Sequence, residues 1–229
     1  SKHVDPFTKV KDWVISHYVN IYQTHKEEMA LQPKKIQFYR SNETKVNIVY
    51  TVWGGGILPS HAVKNIISIR TASPNTKIKI FVQPFFLVQS QTKARDFAVG
   101  NIEIISCSEL TQPYVQTRFY CYEKDIVKFG DNYNKIAILD LTDVWMLKDI
   151  FNYIENGLYV VAEPAHWPMS FNNGGVHYQW IAKCKSYGDT IWNLIKHHSM
   201  ICAGTIFGDK IGMLIFLSAF VNELKKTTC

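Results

Sequence analysis

The chain has 229 residues, 47% of them hydrophobic and 14% aromatic, and a formal net charge of +6. This length suits one α/β domain with a sizeable core better than two domains, and we find no repeat, low-complexity tract or interdomain linker. The positive charge allows an anionic partner such as a nucleotide diphosphate, an acidic membrane surface or nucleic acid. The lysines and arginines are scattered rather than clustered, so we expect no nucleic-acid partner.

No apolar segment reaches the ~18 residues that a membrane-spanning helix needs, so we expect no membrane contact within this chain. The chain starts at Ser1 without a signal pattern. If an upstream anchor was removed, we expect the secretory pathway, in the Golgi or ER lumen; the alternative is the cytoplasm. The triplet that begins at Asn42 matches a glycosylation acceptor, which would be modified only in the secretory pathway. The five cysteines form no C-x-x-C pair, which argues against a zinc ribbon.

Residues 1–44 are predicted to form an N-terminal helix and a lead-in to the main domain, residues 45–229. Asp5 is placed to cap that helix and Pro6 to occupy its first position, and apolar residues recur at helical spacing until Pro33. This helix is either a stem or an accessory helix packed on the sheet.

The main domain begins with a strand, a glycine turn, a helix and a second strand. Residues 45–53 and 77–83 are rich in β-branched and apolar side chains, and a helical pattern starts at Ser60. In parallel sheets this unit places a ligand at its first turn. The turn, residues 54–56, is three glycines that match neither a dinucleotide nor a P-loop motif. It either lets the backbone approach a nucleotide or is a flexible surface turn.

The alternation continues with a helix over residues 93–98, a strand over 102–106 and a helix over 115–129. Arg118 lies in the last of these helices. Such an arginine either pairs with a phosphate at the ligand end of the sheet or lies on a solvated helix face.

Residues 135–151, with the sequence K-I-A-I-L-D-L-T-D-V-W-M-L-K-D-I-F, are the central motif of the chain. They predict a buried strand that ends on two carboxylates, Asp140 and Asp143, followed by a short helix over residues 148–156. Paired carboxylates at the carboxyl end of a strand suit a hard divalent cation that also contacts phosphate. The alternative is that the two aspartates only cap the following helix.

The remaining elements are a strand over residues 158–163, an aromatic loop over 171–180, one or two helices over 181–196, a strand over 199–208 and a closing helix over 211–224. Gly204 lies inside the last strand. An interior strand glycine marks a bulge or a close approach to the backbone.

Three tracts, taken in order, resemble the nucleotide-diphospho-sugar transferases of the GT-A fold. The resemblance is closest to a sparsely characterised group with a strand ending in L-T-D-V-R-D, an aromatic tract with W-I and a cysteine, and a later C-S-G-T-T-I-G. In this chain the corresponding tracts are I-L-D-L-T-D-V-W-M-L-K-D-I-F, Q-W-I-A-K-C-K-S-Y-G and I-C-A-G-T-I-F-G-D.

The resemblance implies a single α/β domain with a Rossmann-type mixed sheet flanked by helices, and a bound Mn²⁺ or Mg²⁺. In the related glycogenin-like enzymes the metal motif is D-x-D, and its first Asp aligns with Leu141 in this chain. The D-x-x-D of the closer group matches Asp140 and Asp143, so Asp143 is the stronger metal ligand of the two. Residues three apart on a continuous strand face opposite sides, so both can serve only if the strand bends between them.

The resemblance also suggests binding and catalytic residues. The predicted set is Thr51, Trp53 and Gly54 for the base and ribose, Arg118 for the phosphates, Asp140 for the ribose and metal, Asp143 for the metal, residues 174–180 for the acceptor, and Glu163, Asp209 or His166 as a base. Cys184 and Cys202 fall in family-like positions and either form a disulfide or remain buried thiols.

We therefore expect a metal-dependent glycosyltransferase that moves a sugar from a nucleotide diphosphate donor, with a UDP-sugar as the expected donor, to a hydroxyl of a glycan or glycoprotein. One alternative is a catalytically degenerate sugar- or nucleotide-binding protein on the same fold, which Leu141 favours. Another is a nucleotidyltransferase, which would share the fold and the acidic cation site.

Overall fold

The computed structural model describes residues 45–54, 60–87, 101–111, 113–162, 178, 181, 184, 188–198 and 201–226. All of them belong to one compact unit, Thr44–Cys229. The predicted N-terminal helix, the predicted helix over residues 93–98 and all of the aromatic loop except Tyr178 lie outside the described residues.

The described residues form six strands and four α-helices. In chain order these are β1 (Val46–Trp53), α1 (Ser60–Ala72), β2 (Lys77–Val82), β3 (Ile102–Ser106), α2 (Tyr114–Phe129), β4 (Tyr133–Leu139), β5 (Leu158–Ala162), α3 (Gly188–Ile195), β6 (Ile201–Asp209) and α4 (Lys210–Lys226). The sequence pattern therefore predicts the six strands to within two residues, whereas the helical pattern over 181–196 corresponds to the shorter α3 among the described residues.

The strands form one mixed sheet in the order β3-β2-β1-β4-β6-β5. Strands β3, β2, β1 and β4 are parallel, and β6 runs antiparallel between β4 and β5. The predicted fold class, an α/β domain with a Rossmann-type mixed sheet flanked by helices, is confirmed.

Two hydrophobic cores cover the two faces of the sheet because successive strand side chains point to opposite sides. Ile48 and Tyr50 of β1 belong to the core under α2 and α4. Val49 belongs to the core under α1, together with Ile66 and Ile69 of that helix. The sheet is thus a central layer between α1 on one face and α2 with α4 on the other.

One predicted helix is much shorter than expected. Residues 148–156 contain only a 3₁₀ turn at Ile150–Asn152. Phe151 and Ile154 are both buried in the core under α1. Gly157, with φ at +111°, then turns the chain into β5, so no room is left for a second helical turn.

Among the described helices, none combines the length and the apolar character needed to cross a bilayer.

Candidate functional site

The order of the strands defines where a ligand is expected. The chain runs outward from β1 through β2 to β3, then crosses by α2 to place β4 on the other side of β1. Open α/β sheets bind ligands beyond the carboxyl ends of the strands at such a reversal of strand order. The carboxyl ends of β1 and β4, near Gly54 and Asp140, are therefore the candidate site.

A buried arginine binds Asp140, the first of the two predicted carboxylates, at the carboxyl end of β4. Arg118 of α2 is 3% exposed, so it does not lie on a solvated helix face. Its Nη1 donates to Asp140 Oδ1, and its Nη2 donates to the carbonyl oxygen of Ala203 at 3.0 Å. The guanidinium thus ties α2 to the end of β4 and to β6 at the same time.

Gly204 of β6 makes room for the Asp140 carboxylate. A Cβ atom built on Gly204 would lie 2.1 Å from Asp140 Oδ2, a distance that side chains do not tolerate. The backbone N–H of Asp140 also donates to the Gly204 carbonyl oxygen at 3.0 Å. The close approach predicted from this glycine is present, and the group that approaches is the aspartate side chain.

The second predicted carboxylate follows a bend in the chain. β4 ends at Leu139, and residues 141–143 form a turn, so Asp140 and Asp143 do not lie on a continuous strand. Asp143 is exposed, whereas Leu141 is 5% exposed and belongs to the core under α1. The position that carries the first Asp of a D-x-D motif is therefore a core position here, which accounts for its leucine.

Neither aspartate has the capping role that was the alternative explanation. Asp149 is the residue that caps the next turn, because its Oδ1 accepts a hydrogen bond from the Phe151 N–H at 3.1 Å.

The residues at this turn suit a cation that arrives with a phosphate ligand. The described part of the chain contains no group of three or more His, Cys, Asp or Glu side chains that could hold a metal by itself. One oxygen of Asp140 is paired with Arg118, which leaves Oδ2 and the Asp143 carboxylate as oxygen donors. Mg²⁺ is commonly held by one or two carboxylates together with substrate phosphates and water. Two carboxylates on one turn are the ligand type of that arrangement, and they do not form an all-protein cage.

The carboxyl end of β1 has an aromatic neighbour that the sequence did not predict. A Cβ atom on Gly54 would lie 2.2 Å from the ring of Tyr114, so the glycine makes room for that ring. The Tyr114 hydroxyl donates to Gln83 Oε1 at 3.0 Å. Trp53 is partly exposed at the same strand end. No motif marks Tyr114 or Gln83, because their relation to Gly54 depends on the folding of α2 over β1.

Thr51 lies below this strand end rather than at the surface of the site. Its side chain is 1% exposed, and its hydroxyl has no hydrogen-bond partner among the described residues. Of the three residues predicted for the base and ribose, Trp53 and Gly54 are therefore partly exposed and Thr51 is buried.

Asp209 is not brought to the site. It pairs with Lys135 in the β4–β6 register, four residues from Leu139, which places it about 13 Å away at ~3.3 Å per residue. Its oxygens accept hydrogen bonds from the N–H groups of Gly157 at 2.6 Å and Gly212 at 2.7 Å. It therefore caps the start of α4 and joins it to the turn before β5. The other two predicted bases, Glu163 and His166, lie outside the described residues.

A buried tyrosine adjoins the Arg118–Asp140 pair. Tyr122 is completely buried, and burial raises the pKa of its hydroxyl far above the usual value. Arg118 acts to lower that pKa and Asp140 acts to raise it. The tyrosine therefore stays neutral beside the ion pair at physiological pH.

The cysteine pairing differs from the possibility raised by the sequence. Cys202 is a free thiol, 3.4 Å from the Thr205 hydroxyl on its own strand, so a Cys184–Cys202 disulfide is wrong. Cys184 is disulfide-bonded, but not to Cys202. A further disulfide, Cys107–Cys121, links the loop after β3 to α2 one turn beyond Arg118.

No protein-family model and no curated protein match the chain. Among solved structures, one similar chain is the apo-form glycosyltransferase GlyE in Streptococcus pneumoniae TIGR4, with 14% sequence identity and a TM-score of 0.36 over 80% of this chain. This chain spans 39% of the length of that one. The mixed α/β sheet described above rests on its own strand order and register.

Proposed function

We propose that this chain is a glycosyltransferase that takes a sugar from a nucleotide diphosphate donor, with a UDP-sugar as the first candidate, to a hydroxyl of a glycan or glycoprotein. The main observation behind the proposal lies at the reversal of strand order. There the Asp140 side chain accepts a hydrogen bond from Arg118 and packs against Gly204. Two of the three tracts that resemble sugar-nucleotide transferases contribute to this point, one through Asp140 and the other through Gly204.

In the proposed reaction the protein orients the donor and shields it from water. Trp53 and Gly54 offer an aromatic side chain and accessible backbone for the base and ribose at the end of β1. Arg118 fixes the direction of the Asp140 carboxylate through the side-chain hydrogen bond from Nη1. A divalent cation, Mn²⁺ or Mg²⁺, would be held by Asp140 and Asp143 and would neutralise charge on the departing diphosphate.

The base that would activate an acceptor hydroxyl in an inverting reaction is Glu163 or His166 in this proposal. Asp209 is no longer a candidate, since both of its oxygens accept backbone hydrogen bonds at the other end of the sheet. A retaining reaction would not need such a base.

The test is release of the nucleoside diphosphate from a panel of nucleotide sugars, with Mn²⁺ and with EDTA. We expect release that EDTA abolishes and that Asp143→Asn lowers by about 100-fold, since a cation ligand is lost. Glu155→Gln removes an exposed carboxylate at the opposite end of the sheet and is the matched control, with unchanged release. Absence of release from every donor, with the protein folded, would reject the proposal.

A second function, a sugar- or nucleotide-binding protein without turnover, is favoured by one observation. Arg118 already neutralises Asp140, which weakens the attraction of that carboxylate for a cation. This function predicts ligand binding that survives both EDTA and Asp143→Ala, with no donor cleavage. Turnover that is lost on chelation would exclude it.

We also propose that the protein works in the lumen of the secretory pathway. The Cys107–Cys121 disulfide supports this location, because disulfides persist in oxidising compartments and are rare in the cytoplasm. Thiol labelling of both cysteines in protein isolated from cells under trapping conditions would contradict it.

A further inference from the structure

Helix α1 binds the loop that carries the second carboxylate at two backbone positions. Asn65 Nδ2 donates to the carbonyl oxygen of Leu141 at 2.8 Å. The N–H of Met146 donates to Ser68 Oγ at 3.1 Å. We call residues 140–147 the acidic loop. One polar contact thus holds it just before Asp143 and another just after it.

The same two loop residues are also anchored by their side chains. Leu141 and Met146 are each 5% exposed and lie in the core under α1, with Ile66 and Ile69. Between these anchors Asp143 is exposed. The loop therefore has two fixed ends, and the carboxylate is presented from the short stretch between them.

The two polar side chains of α1 are themselves fixed in orientation. Asn65 and Ser68 are three residues apart, so they lie on one face of the helix. Asn65 is completely buried. Ser68 Oγ donates to the Asn65 carbonyl oxygen at 2.7 Å while it accepts from Met146, so both hydrogen-bonding roles of its hydroxyl are used.

We infer that Asn65 and Ser68 are positioning residues that set the place of Asp143 relative to Asp140, for a ligand consisting of a nucleoside diphosphate and a divalent cation. The inference rests on the proposed function. A cation bridge between protein and diphosphate requires oxygens held within about half an ångström of the productive geometry. The carboxylate of a solvent-exposed loop meets that requirement only when the loop backbone is fixed.

The first experiment measures the loop without any ligand. Asn65→Ala and Ser68→Ala each remove one contact, and Ser68→Thr restores the hydroxyl. Ser73→Ala is the matched control, because it breaks a buried hydrogen bond to Thr76 just beyond the carboxyl end of α1. We expect amide hydrogen exchange in residues 140–147 to become about tenfold faster in the two alanine variants and to stay unchanged in Ser68→Thr and Ser73→Ala. Equal exchange in all four proteins would overturn the inference.

The second experiment measures the affinity for UDP in the presence of Mn²⁺ by calorimetry. We expect the Kd to rise about tenfold in Asn65→Ala and Ser68→Ala and to change less than about twofold in Ser68→Thr and Ser73→Ala. Affinity that is retained although the loop has become mobile would overturn the positioning role. If Asn65→Ala does not fold, Ser68→Ala at its half-buried position gives both measurements.

The two proposals fail in different ways. If wild-type protein binds no nucleoside diphosphate, the proposed function fails, and hydrogen exchange still decides whether α1 fixes the loop. If wild-type protein binds UDP with Mn²⁺ and the alanine variants bind equally well, the proposed function stands and this inference fails.

Discussion

At the scale of single residues, two buried cations each pair with a carboxylate, and only one of the two pairs belongs to the candidate site. Lys79 and Arg118 are each 3% exposed, and each donates to a carboxylate, of Asp125 and Asp140 respectively. Asp125 is buried with its lysine, whereas the Asp140 side chain is 34% exposed. The first pair is a core contact, and the second leaves one carboxylate open to a ligand.

Replacement of Arg118 by alanine tests how much the Arg118–Asp140 pair contributes to stability. We expect the free energy of unfolding to fall by about 3 kcal/mol, because packing is lost and Asp140 is left without its partner. Urea denaturation measures the change. The control is Lys210→Ala, which removes an ion pair to the almost fully exposed Asp131 and should cost about 0.5 kcal/mol or less. Equal losses in the two variants would contradict this description.

The tyrosines around Asp125 predict a loss of stability at alkaline pH. Tyr50 and Tyr133 both donate to Asp125 Oδ2, and burial followed by this carboxylate raises the pKa of each hydroxyl well above its usual value. In the folded protein both tyrosines keep their protons at a pH where the unfolded chain has lost them. Their contribution to stability is therefore complete below about pH 10 and declines as the pH rises above that value.

Tyrosinate absorbance and unfolding free energy, measured together from pH 8 to 12, check this sign. We expect the Tyr50→Phe variant to lose stability less steeply with pH than wild type does. Ionisation of all tyrosines near about pH 10, with the protein still folded, would contradict the expectation.

At the scale of elements, the site is made by the contact of antiparallel β6 with β4. Leu139 pairs with Thr205, so Asp140 leaves β4 directly beside Gly204. Helix α2 closes the arrangement through the hydrogen bond from Arg118 to Ala203. Three elements that are distant in sequence therefore fix one carboxylate.

Substitution of Gly204 by alanine should displace that carboxylate. The new Cβ would lie 2.1 Å from Asp140 Oδ2, so we expect stability to fall by about 2 kcal/mol and nucleotide affinity to fall with it. Ala203→Ser, which keeps the carbonyl oxygen that Arg118 uses, is the control and should change stability by about 0.5 kcal/mol or less. Thermal unfolding and calorimetry give the two readouts. A Gly204→Ala protein with wild-type stability would show that the contact is unimportant.

At the scale of the whole molecule, the sequence predicts the sheet and the acidic strand end well because both depend on local patterns. Alternating β-branched residues indicate the strands, and the position of Asp140 at the end of one of them follows directly. Contacts between distant positions could not be predicted. Asn65 and Leu141 are 76 positions apart, and neither residue type alone marks a partner.

Asp209 illustrates the same limit. Its place in a tract that resembles a transferase motif suggested a base, but strand direction decides which end of the sheet it reaches. Because β6 is antiparallel to β4, Gly204 lies at the candidate site and Asp209 lies at the other end. The direction of β6 depends on how the whole sheet assembles, so the motif alone does not show which end Asp209 reaches.

The central claim is that the carboxyl ends of β1 and β4 bind a nucleoside diphosphate with a divalent cation. Isothermal titration of UDP into the protein, with and without Mn²⁺, tests it most directly. We predict that Mn²⁺ alone binds weakly, that UDP and Mn²⁺ together bind with a Kd in the range of about 1 to 100 μM, and that Asp143→Asn raises this Kd by about tenfold or more. Failure of wild-type protein to bind any nucleoside diphosphate in the presence of Mn²⁺, or binding that is unaffected by Asp143→Asn, would contradict the claim.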